Sequence, residues 1–150
     1  MPVKPVPDGY HTVIPYIVAS DAERLITFLK NAFGAKEHDI TRGEDGSIWH
    51  ADVTVGDSHI MLSQANERFQ AMPAAIYLYV PDTDSTYRAA LAAGAASTME
   101  PADQFYGDRN AGVKDAEGNM WWIGTHVEDV GPEEMQRRVK AAAAQRAQAT

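Results

Sequence analysis

His50, Asp52 and His59 stand close together in the stretch IWHADVTVGDSHIML. These residue types could ligate a metal or move a proton. Gly56-Asp57 reads as the turn of a hairpin, which places Thr54 opposite His59 and His50 nearer Ser63. The two histidines are then roughly 10 Å apart along the ladder, too far to share one ion. His50 and Asp52 lie on one face, about 6–7 Å apart at Cα. They could supply two ligands, but no third is evident. As a base with an orienting carboxylate they are poorly arranged, because side chains two apart on one strand run parallel. His11 and His38 fall near strand ends and read as solvated. The chain has no cysteine. It also lacks a nucleophile elbow and a Gly-rich phosphate loop. No catalytic residue, metal ligand or cofactor is therefore assigned.

The aromatic residues point more clearly to a site. In GNMWWIGTH the neighbouring Trp121 and Trp122 must face opposite sides of a strand. The plainly aliphatic face should meet helices: Val13, Ile17, Ala19, Ala51, Val53, Val55, Ile60, Leu62, Ile76, Leu78, Val80, Trp121 and Ile123. The opposite face gathers Ile14, Tyr16, Val18, His50, Asp52, Thr54, His59, Met61, Ser63, Tyr77, Tyr79, Met120, Trp122 and, at the strand end, His126. Aromatic walls with a few polar groups suit a small-molecule site. Phe105 and Tyr106, in EPADQFYGDRNAG, could close one mouth of it, with an Asp108–Arg109 ion pair holding that segment. These ten residues (Tyr16, His50, Asp52, His59, Met61, Tyr77, Tyr79, Phe105, Tyr106 and Trp122) form the predicted ligand-binding set.

The elements that must position them recur. A strand over 12–19 precedes a helix capped by Asp21 and stopped by Gly34, followed by strands at 36–41, 48–55 and 58–64. The order repeats: a strand at 74–80, a helix capped by Asp82 or Asp84 and stopped by Gly94, then strands near 96–100, 111–114 and 120–125. VTVGDSHIML parallels GVKDAEGNMWWI. A period of about sixty residues fits a duplicated module rather than a solenoid. The prediction is an α+β fold of two βαβββ modules, at about 12–64 and 74–126, within a single domain spanning 1–150. A tail at about 131–150 begins with Pro132 and two glutamates and forms a surface helix that frays.

With 13 basic and 21 acidic residues the net charge is −8, which disfavours nucleic acid as a partner. No apolar run is long enough to span a bilayer, and the Pro-rich, polar N-terminus does not read as a signal peptide. A cytoplasmic location is the expectation.

The paired modules, with GYHTVIPYIV, AFGA, VGDSHIMLS, FYGDR and THVEDVGPEEMQRR, resemble the vicinal oxygen chelate superfamily of glyoxalases, bleomycin resistance proteins and dioxygenases. The resemblance is closest to its small bacterial glyoxalase-like branch. It implies cup-shaped mixed sheets and a homodimer. It also implies metal ligands on the first and last strands of each module, where this sequence holds Ile14, Met61, Ala75 and Trp122. None suits a hard or borderline divalent ion. The implied function is metal-independent binding of an aromatic or drug-like molecule. The alternative is a lyase, isomerase or dioxygenase with a displaced metal site or a His/Asp base.

Overall fold

The computed structural model describes residues 2–149. The first module runs β1 (Tyr16–Ala19), α1 (Ala22–Phe33), β2 (Lys36–Arg42), β3 (Ile48–Val55) and β4 (Ser58–Gln64). The second repeats it as β5 (Ala75–Tyr79), α2 (Thr83–Ala92), β6 (Ala96–Asp103), β7 (Asp108–Lys114) and β8 (Met120–His126). Helix α3 (Pro132–Gln148) follows. Each module makes a four-stranded mixed sheet, ordered β1-β4-β3-β2 and β5-β8-β7-β6. The first strand of each pairs parallel with the last, and the remaining pairs are antiparallel.

Local chemistry sets the helix limits. The Asp21 carboxylate accepts from the Arg24 N–H at 3.0 Å, and that of Asp82 from the Ser85 N–H at 3.2 Å. Each satisfies a backbone donor that the first turn leaves unpaired. Gly34 ends α1 in the left-handed region at φ 68°, which costs glycine little. The second cap is thus Asp82. Asp84 sits two residues further on, in the first turn, and serves Arg109 instead.

One apolar core joins the modules. Leu25, Ile26, Phe28 and Leu29 of α1 are buried with Ile17, Val53, Ile60 and Leu62 of the first sheet and Val113, Trp121 and Ile123 of the second. The two helices pack on each other as well as on their own sheets. Phe33 of α1 lies 5.0 Å from the Trp121 ring, between centroids. Across the same seam Arg24 makes a forked pair with Glu117, at 2.9 and 2.6 Å.

Two boundary predictions need correction. The first strand begins at Tyr16, not at residue 12, and Val13 is 81% exposed rather than turned toward the helices. Pro15 is the reason: it has no N–H for a ladder bond, although its carbonyl still accepts from Met61 N–H. The strands β6 and β7 extend through most of EPADQFYGDRNAG, leaving only residues 104–107 as the turn. α3 has no buried residue. It is nonetheless anchored, because Arg138 pairs with Glu128 and Glu134 and donates to the Phe105 carbonyl. Among the described residues, no helix is long and apolar enough to cross a membrane.

Candidate functional site

Alternation along β3 and β4 brings Asp52 and His59 to one face, diagonal neighbours across the hairpin. The Asp52 carboxylate, 2% exposed, meets His59 Nδ1 at 2.7 Å. An ionised carboxylate only accepts, so Nδ1 carries the proton and Nε2 is left as the basic nitrogen. Asp52 is therefore served by His59 rather than by His50, its neighbour on the same strand. The Tyr10 hydroxyl donates to the second Asp52 oxygen. Its ring stacks on His59 at 3.8 Å with an interplanar angle of 16°. His38, exposed as the sequence suggests, stands edge-on to His59 at 5.0 Å. The hydrogen bond to Asp52, aided by desolvation, pushes the Tyr10 phenol up to about 12. Burial pushes the Asp52 carboxyl up. The bonds from Tyr10 and His59 outweigh it and hold the group below the usual carboxylate range.

The second module builds a comparable cluster around Asp108, which is 4% exposed. Tyr77 and Tyr79 donate to one of its oxygens at 2.7 and 2.9 Å, and His126 Nδ1 lies 2.9 Å from the other. His126 Nε2 is 2.7 Å from Asp129. Asn110 donates to the hydroxyls of Tyr106 at 2.6 Å and Tyr77 at 3.2 Å. Burial, the largest influence, and the bond to Asp108 both raise the Tyr77 phenol. The bond to Asp108 raises that of Tyr79. Burial pushes Asp108 up, yet its three donors hold it below the ordinary range. Asp129 first and Asp108 second raise His126.

Gly124 makes this packing possible. A Cβ there would stand 2.3 Å from the Tyr77 hydroxyl. Gly124→Ala should displace Tyr77 from Asp108 at a cost of about 1–3 kcal/mol. Thermal melts check this, and a variant as stable as the parent would contradict the packing.

Of the predicted residues, His59, Tyr77 and Tyr79 share a groove of about 700 Å³ between the modules, with Ile14, Phe33 and Ile76 among its walls. Tyr16 and His50 face each other at 6.0 Å, beside a separate hollow that Tyr16 shares with Trp49 and Phe69. Met61 stands between Tyr16 and Asp52 on the ladder. Trp122 is paired with Tyr77 and is partly exposed. Tyr106 joins the Asp108 cluster, while Phe105 lines a hollow under α3.

The Asp108–Arg109 pair does not form. Neighbours on a strand face opposite ways. Arg109 turns to Asp84, at 2.8 and 3.0 Å, and to Asp103 at 3.2 Å. Tyr10, Asp108 and Asn110 are the residues that the sequence reading missed. Alternation alone would have separated Asp108 from Arg109.

The metal positions implied by the fold hold Ile14, Met61, Ala75 and Trp122, whose side chains do not fit a divalent ion. Among the described residues, no three His, Asp or Glu side chains converge to hold one.

The model of the glyoxalase/bleomycin resistance protein/dioxygenase superfamily matches residues 10–123. An uncharacterized protein of Mycobacterium tuberculosis strain H37Rv is 32% identical over 133 residues, covering 81% of this chain and 78% of its own. One of Mycobacterium bovis has the same identity over the same length, covering 81% of this chain and 88% of its own. Among solved structures, TioX from Micromonospora sp. ML1 superposes with a TM-score of 0.68 at 24% identity, covering 78% of this chain and 99% of TioX. A glyoxalase/bleomycin resistance protein/dioxygenase family enzyme from Burkholderia phytofirmans PsJN gives 0.63 at 20% identity, covering 75% and 95%. These two structural likenesses speak for the fold alone. The sequence match extends over both modules, and the chain belongs to the glyoxalase/bleomycin resistance protein/dioxygenase superfamily.

Proposed function

We propose that this chain is a metal-independent small-molecule binding protein whose ligand is aromatic or drug-like. The observation that carries the reading is the groove of about 700 Å³ lined by His59, Tyr77 and Tyr79 among apolar side chains. Its size and mixture of walls suit a compact organic molecule. Tyrosine rings would stack on a planar frame, and polar groups would fix its orientation. Nothing in the site calls for a metal, since the implied ligand positions carry apolar side chains.

A homodimer belongs to the same reading. Tyr16, Trp49 and Phe69, which border one hollow, are 49%, 67% and 55% exposed, a large aromatic surface for a lone chain. We further read residues 1–150 as one domain in a cytoplasmic protein.

Native mass spectrometry of freshly purified protein tests these points together. The expected result is a two-subunit species without a stoichiometric divalent ion, carrying a co-purified organic molecule or accepting a planar aromatic one on titration. About one zinc, nickel, manganese or iron per subunit would overturn the metal-independent reading. A monomer at micromolar concentration would remove the dimer.

One observation favours a second reading. Asp52 fixes His59 with Nδ1 protonated, and His59 borders the groove. Such a pair could act as a general base in a lyase or isomerase. Turnover lost in His59→Gln, with ligand affinity retained, would favour catalysis over binding.

A further inference from the structure

One wall of the groove between the modules is a strand edge that no other strand covers. β5 is the outermost strand of its sheet. Ile76, Tyr77, Leu78, Tyr79 and Val80 all border the groove. Consecutive side chains face opposite sides of a sheet, so one groove meets all five only along the edge of the strand. The bonding of β5 fixes what that edge presents. The Ala74 carbonyl accepts from Met120 N–H at 2.9 Å, and Val80 N–H donates to the Gly124 carbonyl at 2.8 Å. The register between β5 and β8 is unbroken, so Ile76 and Leu78 also turn their backbone groups to β8. The N–H and C=O of Tyr77 and Tyr79 point the other way, and among the described residues no backbone group bonds them there.

The facing wall has a gap of the same kind. Met61 N–H donates to the Pro15 carbonyl, so His59, two residues earlier on β4, turns its own N–H and C=O to that side. Pro15 has no N–H to offer the His59 carbonyl, and Val13 accepts no bond from His59 N–H. His59, Val13 and Pro15 line the groove. Unpaired strand edges are templates for an added strand.

The geometry points to strand addition: the ligand lies along β5 as an extended, peptide-like molecule whose amides pair with the N–H and C=O of Tyr77 and Tyr79. Those two residues are about 6.6 Å apart at strand rise, so a ligand of about three residues spans both. Its side groups fall alternately beside the tyrosine rings and beside Ile76 and Leu78. This rests on the binding function proposed above and deepens it: the drug-like ligand carries a run of backbone-like amides.

The probe is acetyl-Val-Tyr-Val N-methylamide, and the control is acridine, a planar aromatic without an amide. Both are titrated into the full-length protein. The peptide should slow hydrogen exchange at the Tyr77 and Tyr79 amides by at least about tenfold, and acridine should bind without that protection. Tyr79→Ala and Tyr79→Pro both remove the ring, but only the second removes the N–H. An edge position tolerates proline. The peptide should bind Tyr79→Pro at least about fivefold more weakly than Tyr79→Ala, the scale of one neutral hydrogen bond, whereas acridine should not distinguish them. If Tyr79→Pro fails to fold, the exchange measurement on the parent protein decides. Tyr77 and Tyr79 amides left unprotected by bound peptide, or equal peptide affinity for the two variants, would overturn strand addition while leaving aromatic binding intact. Acridine binding without peptide binding would do the same. Amides already protected in the free protein would assign the edge to a second copy of the chain and overturn it as well. Binding of neither probe would overturn both proposals.

Discussion

Replacing Trp121 by alanine is expected to cost roughly 3–5 kcal/mol of folding stability. Its neighbour Trp122 should behave differently. Trp121 is fully buried and packs on Phe33 of the other module. Its indole N–H donates to Asp115 at 2.8 Å. Truncation therefore opens a cavity at the seam between modules and takes one donor from a buried carboxylate. The loss could exceed half of a typical domain's net stability. Trp122 is only partly covered. Trp122→Ala removes less packing, and it should weaken aromatic ligands by about 0.5–1.5 kcal/mol where a ring contact is lost. Denaturant melts of both variants, with ligand titrations, make the comparison. A Trp122 variant less stable than the Trp121 variant would invert the assignment of the two faces.

The second large effect is expected at Asp52. Asp52→Ala leaves His59 Nδ1–H and the Tyr10 hydroxyl without their acceptor in a buried setting, at a cost of about 3 kcal/mol. Asp52→Asn keeps the shape and should cost less. The pH dependence has a definite sign. Net of burial, the hydrogen bonds place the folded pKa of Asp52 below its unfolded value. Its contribution is then complete above the unfolded value, about 3.9, and is lost as pH falls through the folded one. The stability gap between the parent and Asp52→Asn should narrow as pH drops below about 4. Urea melts across an acid series measure it, and a gap that widens on acidification would contradict the bonding described here.

Much of the scaffold was legible because its signals are local. The Asp21 cap, a second cap narrowed to Asp82 or Asp84, the Gly34 stop and the period of two in β3, β4 and β8 each depend on residues a few positions apart. Trp121 and Trp122 could be assigned to opposite faces by the same rule. The pairing of Thr54 with His59 followed from the length of one turn. The start of β1 was misread although its cause, Pro15, was also local; the β-rich residues before it suggested a strand that the missing N–H does not support.

The candidate site was legible only in part, because its polar groups meet across the fold. Tyr10 reaches Asp52 from 42 residues away, Tyr77 reaches Asp108 from 31, and His126 reaches it from 18. No periodicity encodes such encounters. They depend on how the irregular segment before β1 crosses the first sheet, and on which residue of β8 falls beside β7. By itself the sequence determined two modules, their order, and which side chains each strand offers to each face, since backbone geometry transmits that information over a few residues. The tertiary structure decided which of the offered groups become partners. A buried carboxylate must find donors wherever the chain brings them, so Asp52 takes His59 and Tyr10, Asp108 takes two tyrosines and His126, and Asn110 Oδ1 is left without one.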